Sequence, residues 1–374
     1  MSDSPGVSPL DAIEQWFKNT VAFLLRLFFR STPRGELSFD EVKNVLVVRQ
    51  HDQLGDMLCA IPLLRALRER FPAAHTILVS SPVNYEIMRN QPFTDDVLNY
   101  DKERFLRSPL LFFQFVRALR SREYDLAVVP TTVSVSLTSN IIAFASGARV
   151  RLGPESLAGR ANPTAFLFNV RVPLGWENDV HRHQTFRNLD TAASLGIGTE
   201  NLEIVLGITE SERAEGQQFL ASFRREHKIL VGFHPGAGKV ANRLAARRFA
   251  EVANTLHDRF GIGAIVTAGP MDDGPVNAML QSVRSPFLLI RNKPIRSVAA
   301  IVGELNLFIT NDTGIMHVAA GTSAPTLSLF GPTDPLQWAP RGQKNRYIRS
   351  EGNDIQGITT AQIVEVAAQM LSLA

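Results

Sequence analysis

The chain has 374 residues, which predicts roughly two domains of ordinary size, and 45% of them are apolar, which excludes an intrinsically disordered protein. The net charge is only +3 and no long basic block occurs, so the composition argues against a nucleic-acid-binding protein while allowing an acidic substrate or an anionic membrane surface. The single cysteine, Cys59, excludes an intrachain disulfide and a multi-cysteine metal site.

The first predicted element is an amphipathic helix within residues 11–30, part of an N-terminal extension and linker over residues 1–40. Aromatic and aliphatic side chains fall on one face of this helix, and Lys18, Arg26 and Arg30 lie on the other. The segment is too short and too interrupted by polar residues to span a bilayer. Two interpretations stay open: a helix lying in the interface of an anionic membrane, and a helix packed on the protein's own body.

Two α/β domains follow, over residues 41–205 and 206–350, because short buried strands alternate with helices in both. This alternation predicts two doubly wound, mostly parallel sheets that face each other. Predicted strands lie at 45–48, 76–79, 97–100, 126–129, 229–233, 264–267 and 287–290. Residues 153–179 are rich in Gly, Pro and Asn and are interpreted as an irregular, acceptor-facing loop. Residues 351–374 are expected to form a C-terminal helix that packs back on the first domain.

The segment 309–335 is predicted to form a strand, a polar turn, a helix, a second strand and a second polar turn. Its first turn, Asn311-Asp312-Thr313-Gly314, follows a strand and opens a helix, which is where ligands bind in open α/β sheets. Backbone N–H groups and the Thr313 hydroxyl suit an anion, Gly314 permits close approach, and Asp312 can accept hydrogen bonds from sugar hydroxyls. A phosphate beside a polyol indicates a nucleotide sugar.

A similar turn, Gln53-Leu54-Gly55-Asp56, follows the first predicted strand. Gly55 permits close approach of an acceptor, beside Gln53, and Asp56 could act as a general base on an acceptor hydroxyl. The alternative is that Asp56 only caps its helix, since Asp is a favoured N-cap residue.

A third turn, beginning at His234 and containing Gly236, Ala237 and Gly238, follows a buried strand as a phosphate-binding loop does. It matches neither the dinucleotide fingerprint nor the Walker pattern, so a simple tight turn is the alternative. Among Arg243, Arg247 and Arg248, one is expected to meet a diphosphate.

His317 lies one helical turn after Thr313, where it either faces a ligand or serves a structural role. The histidine and carboxylate spacings match no known metal motif, so neither a metal nor a bound cofactor is expected, and the nucleotide sugar is a substrate.

Taken together, the turns resemble those of glycosyltransferase family 9, the ADP-heptose:lipopolysaccharide heptosyltransferases. The resemblance covers about residues 44–342 and is strongest in VLVVRQHDQLGDMLCAIPLLRAL, GFHPGAGKVANRLAARRFAEVA and FITNDTGIMHVAAGTSAPTLSLFGPTDP, with a weaker match in HRHQTFRNLDTAASLGI.

The family resemblance implies a GT-B fold: two Rossmann-like domains with the donor mainly on the second and the acceptor mainly on the first. It implies an inverting, metal-independent transfer in which Asp56 is the general base and Asp312 holds the donor sugar. Thr313 and Gly314 match the diphosphate-binding turn, His317 matches a neighbouring histidine, and Arg243 falls near a cation that neutralises the diphosphate.

Three departures from the family pattern concern the donor base and the acceptor. Arg243-Leu244-Ala245 stands where the family often has a basic residue before Trp-Pro, so Arg247 is an alternative cation. The acidic residue expected on the nucleotide ribose falls near Met271, which leaves Asp272 or Asp273 as substitutes. Pro130-Thr131-Thr132 replaces the usual Asp-Leu-Gln.

The expected function is therefore the transfer of a heptose or related sugar, with ADP-heptose as the implied donor, to a lipopolysaccharide-core or other lipid-linked acceptor. A cytoplasmic location, peripheral on the inner membrane, is expected. The alternatives are a nucleotide-sugar epimerase, which needs no acceptor, and a non-catalytic nucleotide-sugar-binding protein.

Overall fold

The computed structural model describes residue 20 and residues 42–50 and 53–372, so the predicted amphipathic segment 11–30 lies, apart from Thr20, outside the described residues. Among the described residues, no helix combines the length and apolar character that crossing a membrane requires.

The first domain is built on a sheet whose strands run in the order β3-β2-β1-β4-β5-β6, with β7 paired to β5. All neighbouring pairs are parallel except β5 with β6. The strands are β1 (Asn44–Val48), β2 (His75–Ser80), β3 (Asp96–Asn99), β4 (Leu126–Val128), β5 (Val150–Leu157), β6 (Arg160–Ala161) and β7 (Val170–Leu174).

Helices cover both faces of this first sheet. They are α1 (Leu54–Leu58), α2 (Ile61–Arg70), α3 (Pro82–Met88), α4 (Lys102–Arg107), α5 (Pro109–Leu119), α6 (Leu137–Ala145) and α7 (Gln184–Ala193), with a 3-10 turn at Ala165–Leu167. Alternate residues of β1 enter opposite cores, since Val45 and Val47 pack in one apolar cluster and Leu46 and Val48 in another. Burial on both faces explains the continuous apolar run of this strand.

The second domain has a fully parallel sheet in the order β10-β9-β8-β11-β12-β13. Its strands are β8 (Leu230–His234), β9 (Gly263–Ala268), β10 (Phe287–Arg291), β11 (Leu307–Asn311), β12 (Thr326–Phe330) and β13 (Asn345–Arg349). Its helices are α8 (Glu210–Glu226), α9 (Ala246–Phe260), α10 (Asp273–Leu280), α11 (Ile295–Gly303), α12 (Gly314–Ala320), α13 (Pro335–Trp338) and α14 (Thr360–Ser372), with 3-10 turns at Val240–Asn242 and Ile355–Gly357.

Both sheets reverse their winding direction beside the first strand of the domain, between β1 and β4 and between β8 and β11. Such a switch point opens a crevice beyond the carboxyl ends of the strands. The turn after β1 carries Asp56, and the turns after β8 and β11 carry Gly236 and Asp312. The prediction of two doubly wound domains is confirmed, and its three turns occupy these switch points.

The interpretation of residues 153–179 as an irregular loop was wrong, because β5 continues to Leu157 and β7 pairs with it. The composition misled because Gly153 serves packing within a strand. A Cβ at Gly153 would lie 2.3 Å from the ring of Phe168, which is completely buried. Glycine is therefore needed for the close approach of this ring.

The expectation that the C-terminal helix packs on the first domain was also wrong. Its apolar face, including Ile363, Ala367 and Met370, joins the core of the second sheet beside Phe249. The predicted domain limits at residues 40, 205 and 350 stay predictions.

Arg296 of α11 links the two domains. Its guanidinium pairs with Glu212 of α8 (2.5 and 2.6 Å) and donates to the carbonyls of Arg89 (2.7 Å), in the first domain, and Gly207 (2.7 Å), between the domains. Glu212 also accepts from the backbone N–H of Thr209 and completes a capping box at the start of α8. One buried cation thus connects both domains and their linker.

Candidate active site

The two polar turns predicted on separate domains lie in contact. α1 begins at Leu54 and α12 begins at Gly314, and a Cβ at Gly314 would lie 3.1 Å from the Cβ of Leu54. A Cβ at Gly55 would lie 2.9 Å from Cδ2 of His317. The glycines let the two helix starts approach closely, so Gly55 has a structural partner in addition to its expected acceptor-facing role.

Asp56 lies in the first turn of α1, whose N-cap is Gln53, so the interpretation of Asp56 as the helix cap was wrong. Asp56 is only 6% exposed. Among the residues that the structure describes, its Oδ1 atom has no hydrogen-bond partner. A buried carboxylate oxygen that accepts no hydrogen bond is a suitable acceptor for a hydroxyl proton of a bound molecule.

Arg49, which the sequence reasoning did not single out, holds the surroundings of Asp56. Its guanidinium donates to the carbonyls of Asp56 (3.1 Å) and Pro130 (3.1 Å) and to Oγ1 of Thr132 (3.3 Å). Its Nη2 lies 3.9 Å from Oδ1 of Asp56. Complete burial lowers the pKa of Arg49, and the nearby Asp56 charge opposes this effect. Arg49 therefore joins the turns after β1 and β4 and places a cation beside the carboxylate.

Asp312 lies between the end of β11 and the N-cap of α12 and belongs to a polar network. Its Oδ2 accepts from Nδ2 of Asn242 (2.8 Å), which also donates to Oγ1 of Thr333 (3.0 Å). Burial raises the pKa of Asp312, while Thr333 and the Lys239 charge act in the opposite direction. Neither Asn242 nor Thr333 was predicted, since each is a single polar residue in a turn without a recognisable motif.

Thr313 occupies the N-cap position of α12 in an extended conformation, yet its hydroxyl does not cap the helix. The backbone N–H groups at a helix start lack intrahelical partners. Thr313 and Gly314 therefore present a hydroxyl and two N–H groups where the sequence predicted an anion.

Asn311 fixes the glycine-containing loop against the Asp312 turn. Its buried amide donates to the carbonyls of Pro235 (3.0 Å) and Gly236 (3.1 Å), and its Oδ1 accepts from the N–H of Leu244 (3.2 Å). The two turns of the second domain are thereby held as one unit, which spacing in the sequence could not reveal.

The glycine loop also contacts the start of α10. A Cβ at Gly236 would lie 2.1 Å from Oδ1 of Asp272, whereas Gly238 faces open space. Oδ2 of Asp272 accepts from the N–H of Gly269 (2.8 Å) and lies 3.6 Å from Nε2 of His234. Asp273 instead pairs with Arg291 near the surface. The structure thus places Asp272, and not Asp273, beside the predicted phosphate loop.

The three candidate arginines differ in their surroundings. Arg243 is half-buried, donates to the carbonyl of Ala237 (2.7 Å) and has a buried Nε without a hydrogen-bond partner in the described part of the chain. Arg248 binds the carbonyls of Gln356 and Ile358, and Arg247 is exposed. Arg243 is the arginine that lies at the loop.

His317 is buried against Gly55 and lies 3.9 Å, at Nδ1, from Sγ of Cys59. Burial lowers the pKa of His317 to about 3, with a further contribution from His183. His183 caps α7 and contacts the carbonyl of Ala339 in the second domain (2.9 Å), and burial lowers its pKa to about 4. Both imidazoles are neutral near pH 7, so His317 offers hydrogen bonding and packing at this site without a positive charge.

In the described ranges, no three His, Cys, Asp or Glu side chains converge as they would around a metal ion.

One protein family and several known proteins match this chain. The family model described as glycosyltransferase family 9 (heptosyltransferase) matches residues 112–362, more than half of the chain. Lipopolysaccharide heptosyltransferase 3 of Escherichia coli is 26% identical over 302 residues, which cover 76% of this chain and 83% of that protein.

Two solved structures share the fold. The glycosyltransferase family 9 protein of Veillonella parvula has a TM-score of 0.78 at 22% identity, covering 92% of this chain and 100% of the other. The Escherichia coli ADP-heptose lipopolysaccharide heptosyltransferase II has a TM-score of 0.71 at 22% identity, covering 88% of this chain and 99% of the other.

Proposed function

Since this chain belongs to glycosyltransferase family 9, the heptosyltransferases, and is a glycosyltransferase, we propose that it transfers heptose from ADP-heptose to a lipopolysaccharide-core or other lipid-linked acceptor. The reaction is a metal-independent transfer with inversion at the anomeric carbon. The names of its relatives, which specify lipopolysaccharide and ADP-heptose, support this choice of substrates.

One observation supports this proposal most strongly: the turn carrying Asp56 and the turn carrying Asp312 meet at the starts of α1 and α12. A general base and a site for an anionic leaving group therefore face one cleft from opposite domains. Direct displacement needs these two groups on opposite sides of the reacting carbon.

In the proposed reaction, the acceptor hydroxyl oxygen attacks the anomeric carbon and the bond from that carbon to the diphosphate oxygen breaks. Asp56 takes the hydroxyl proton on Oδ1, which accepts no other hydrogen bond, and ADP departs with the bonding electrons. Arg49 holds the Asp56 backbone during this step. Gln53 and Gly55 line the acceptor side.

The leaving diphosphate is bound by the backbone N–H groups of Thr313 and Gly314, the Thr313 hydroxyl, and the guanidinium of Arg243. Charge develops on the diphosphate as the bond breaks, so donors fixed in advance stabilise the transition state. Gly236 gives the phosphates access to the backbone, with Ala237 beside it, whereas Gly238 is exposed beyond them. His317 packs against the facing turn at Gly55.

Two carboxylates have separate proposed roles on the donor. Asp312 accepts hydrogen bonds from the sugar hydroxyls, and its alignment by Asn242 supports this role. Asp272 accepts from the ribose hydroxyls, since it lies beside Gly236 at the end of β9.

The proposal is tested by thermal shift with ADP, GDP and UDP and with ADP-heptose, using the wild-type protein, Asp272→Asn and Asp273→Asn. ADP and ADP-heptose are expected to raise Tm in the wild type and in Asp273→Asn, and to raise it less in Asp272→Asn. If no nucleotide raises Tm, the donor site is wrong. Turnover of ADP-heptose without any acceptor would instead indicate an epimerase.

A further inference from the structure

An exposed apolar surface lies on α4 and α5 of the first domain. It comprises Leu106, Leu110, Leu111, Phe112 and Phe113, called here the α4–α5 patch. Leu106 is 88% exposed and Phe113 is 66% exposed. Single exposed apolar residues are common on protein surfaces. Five large apolar side chains exposed within eight positions are a concentration beyond that ordinary background.

The α4–α5 patch is held rigidly by an aromatic cluster beneath it. Phe105 contacts the rings of Tyr100, Phe112 and Phe115 at centroid distances of 5.2, 5.7 and 5.4 Å. Phe115 and Leu119 fix α5 to the core over the first sheet. The exposed side chains therefore lie over a packed aromatic cluster, and they are not needed to complete the core.

The segment that carries the α4–α5 patch is basic. Residues 101–123 contain six exposed cations, namely Lys102, Arg104, Arg107, Arg117, Arg120 and Arg122. Asp101, Glu103 and Glu123 are the carboxylates of the same segment, so its net charge is +3, equal to that of the whole chain. Exposed aromatic and aliphatic side chains in a basic segment match the interface of a membrane that contains anionic lipid.

The position of the α4–α5 patch relates it to the active site. α4 starts at Lys102, directly after the carboxyl end of β3 at Asn99. β3 is parallel to β2 and β2 to β1, so the patch lies at the same edge of the sheet as the turn carrying Asp56. A surface that contacts the α4–α5 patch therefore lies on the acceptor side of the cleft.

We infer that the α4–α5 patch docks the protein on an anionic phospholipid bilayer, with Leu106, Leu110 and Phe113 entering the interface and the cations of the same segment contacting lipid phosphates. This contact differs from the one predicted for residues 11–30. Docking presents the acceptor side of the cleft to the lipid surface. Binding to vesicles needs no substrate. Only the benefit of docking to catalysis rests on the proposed lipid-linked acceptor.

The first test is co-sedimentation of the full chain with vesicles of phosphatidylcholine alone or mixed with phosphatidylglycerol. The wild type is expected to bind the mixed vesicles and to be released by high salt. The affinity of the variant L106E/L110E/F113E for the mixed vesicles is expected to be lower by roughly tenfold or more, because the variant removes apolar contact and adds negative charge. Phe287→Glu, which changes an exposed apolar residue at the amino end of β10 in the second domain, is the matched control and should bind as the wild type does.

The second test locates the contact and does not depend on a disruptive variant. Cys59 is completely buried and is the only cysteine, so Phe113→Cys can be labelled selectively with an environment-sensitive fluorophore. The label should shift to shorter wavelength on mixed vesicles, whereas the same label in Phe287→Cys, in the second domain, should not.

Equal vesicle binding by the wild type and L106E/L110E/F113E would overturn the inference, as would an unshifted Phe113→Cys label. Loss of a dimer in the triple variant, with vesicle binding unchanged, would assign the α4–α5 patch to self-association and would also overturn it. If L106E/L110E/F113E binds vesicles less but is still stabilised by ADP, docking is supported independently of the donor site. If the protein does not bind ADP, the donor site is wrong but the vesicle result still holds.

Discussion

A Cβ on Gly55 would lie 2.9 Å from Cδ2 and 3.2 Å from Nε2 of His317, so the backbone of the first domain packs directly on an imidazole of the second. The His317 ring is buried and also lies near Cys59 and Trp338. It therefore has little room to move. Gly55 thus sets how closely the turn carrying Asp56 approaches the helix that carries His317.

Gly55→Ala is expected to lower the free energy of unfolding by about 1–3 kcal/mol, because the added methyl forces the two turns apart. It should also lower kcat, since the separation shifts Asp56 from the donor. Urea unfolding and a transfer assay measure these effects. Gly198→Ala is the control, because a Cβ there meets nothing within 4 Å. Wild-type stability and kcat in Gly55→Ala would contradict the assignment.

Gly236 and Gly238 are expected to respond differently to the same substitution. Gly236→Ala places a Cβ 2.1 Å from Oδ1 of Asp272 and should weaken ADP binding by roughly tenfold or more, equivalent to about 1.4 kcal/mol. Gly238→Ala faces open space and should bind ADP nearly as the wild type does. Isothermal titration with ADP decides between these outcomes. Equal losses in both variants would show that general loop flexibility, and not the Asp272 contact, is required.

Arg49→Lys keeps the charge but loses the guanidinium geometry that contacts three acceptors at once. We expect kcat to fall by roughly tenfold, with the Kd for ADP unchanged, because Arg49 serves the first domain. The free energy of unfolding of the variant should also fall, by about 3 kcal/mol or less. Arg68→Lys, a partly exposed arginine of α2, is the control. A large change in ADP affinity for Arg49→Lys would contradict this role.

The sequence predicted the turns of the candidate active site more accurately than their supporting contacts. The predicted turns follow strands at switch points and contain Gly55, Asp56, Asp312 and Thr313. The strands and the turns after them can both be predicted from the local sequence pattern. Arg49 was missed because its partners Pro130 and Thr132 lie more than eighty residues away.

The errors in the predicted fold have related physical causes. The C-terminal helix shows an apolar face, but the pattern does not say which core accepts it. Gly153 was interpreted as a loop residue because its strand role depends on the distant ring of Phe168. Tertiary partners, and not local preference, decided both cases.

The Arg296–Glu212 pair predicts an acid-dependent loss of stability. Its guanidinium lowers the pKa of Glu212 from 4.5 to about 2, so the unfolded chain takes up the proton first as the pH falls. The stabilisation is complete above pH 4.5 and is lost as the pH falls toward 2.

Thermal unfolding of Glu212→Gln measures this contribution. Its Tm should lie below that of the wild type at pH 7, and the difference should shrink between pH 4.5 and 2. Glu210→Gln, a neighbouring carboxylate of α8, is the control. A difference in Tm that stays constant across this range would show that the charge of Glu212 is not the cause.

The central claim is that Asp56 removes the acceptor proton while the second domain binds the donor. The most direct measurement compares kcat for heptose transfer and Kd for ADP-heptose in Asp56→Asn, with Asp258→Asn, an exposed carboxylate of α9, as the control. We expect kcat to fall by roughly 10²–10⁴-fold in Asp56→Asn while Kd stays at the wild-type value. Transfer at the wild-type rate in Asp56→Asn would contradict the account.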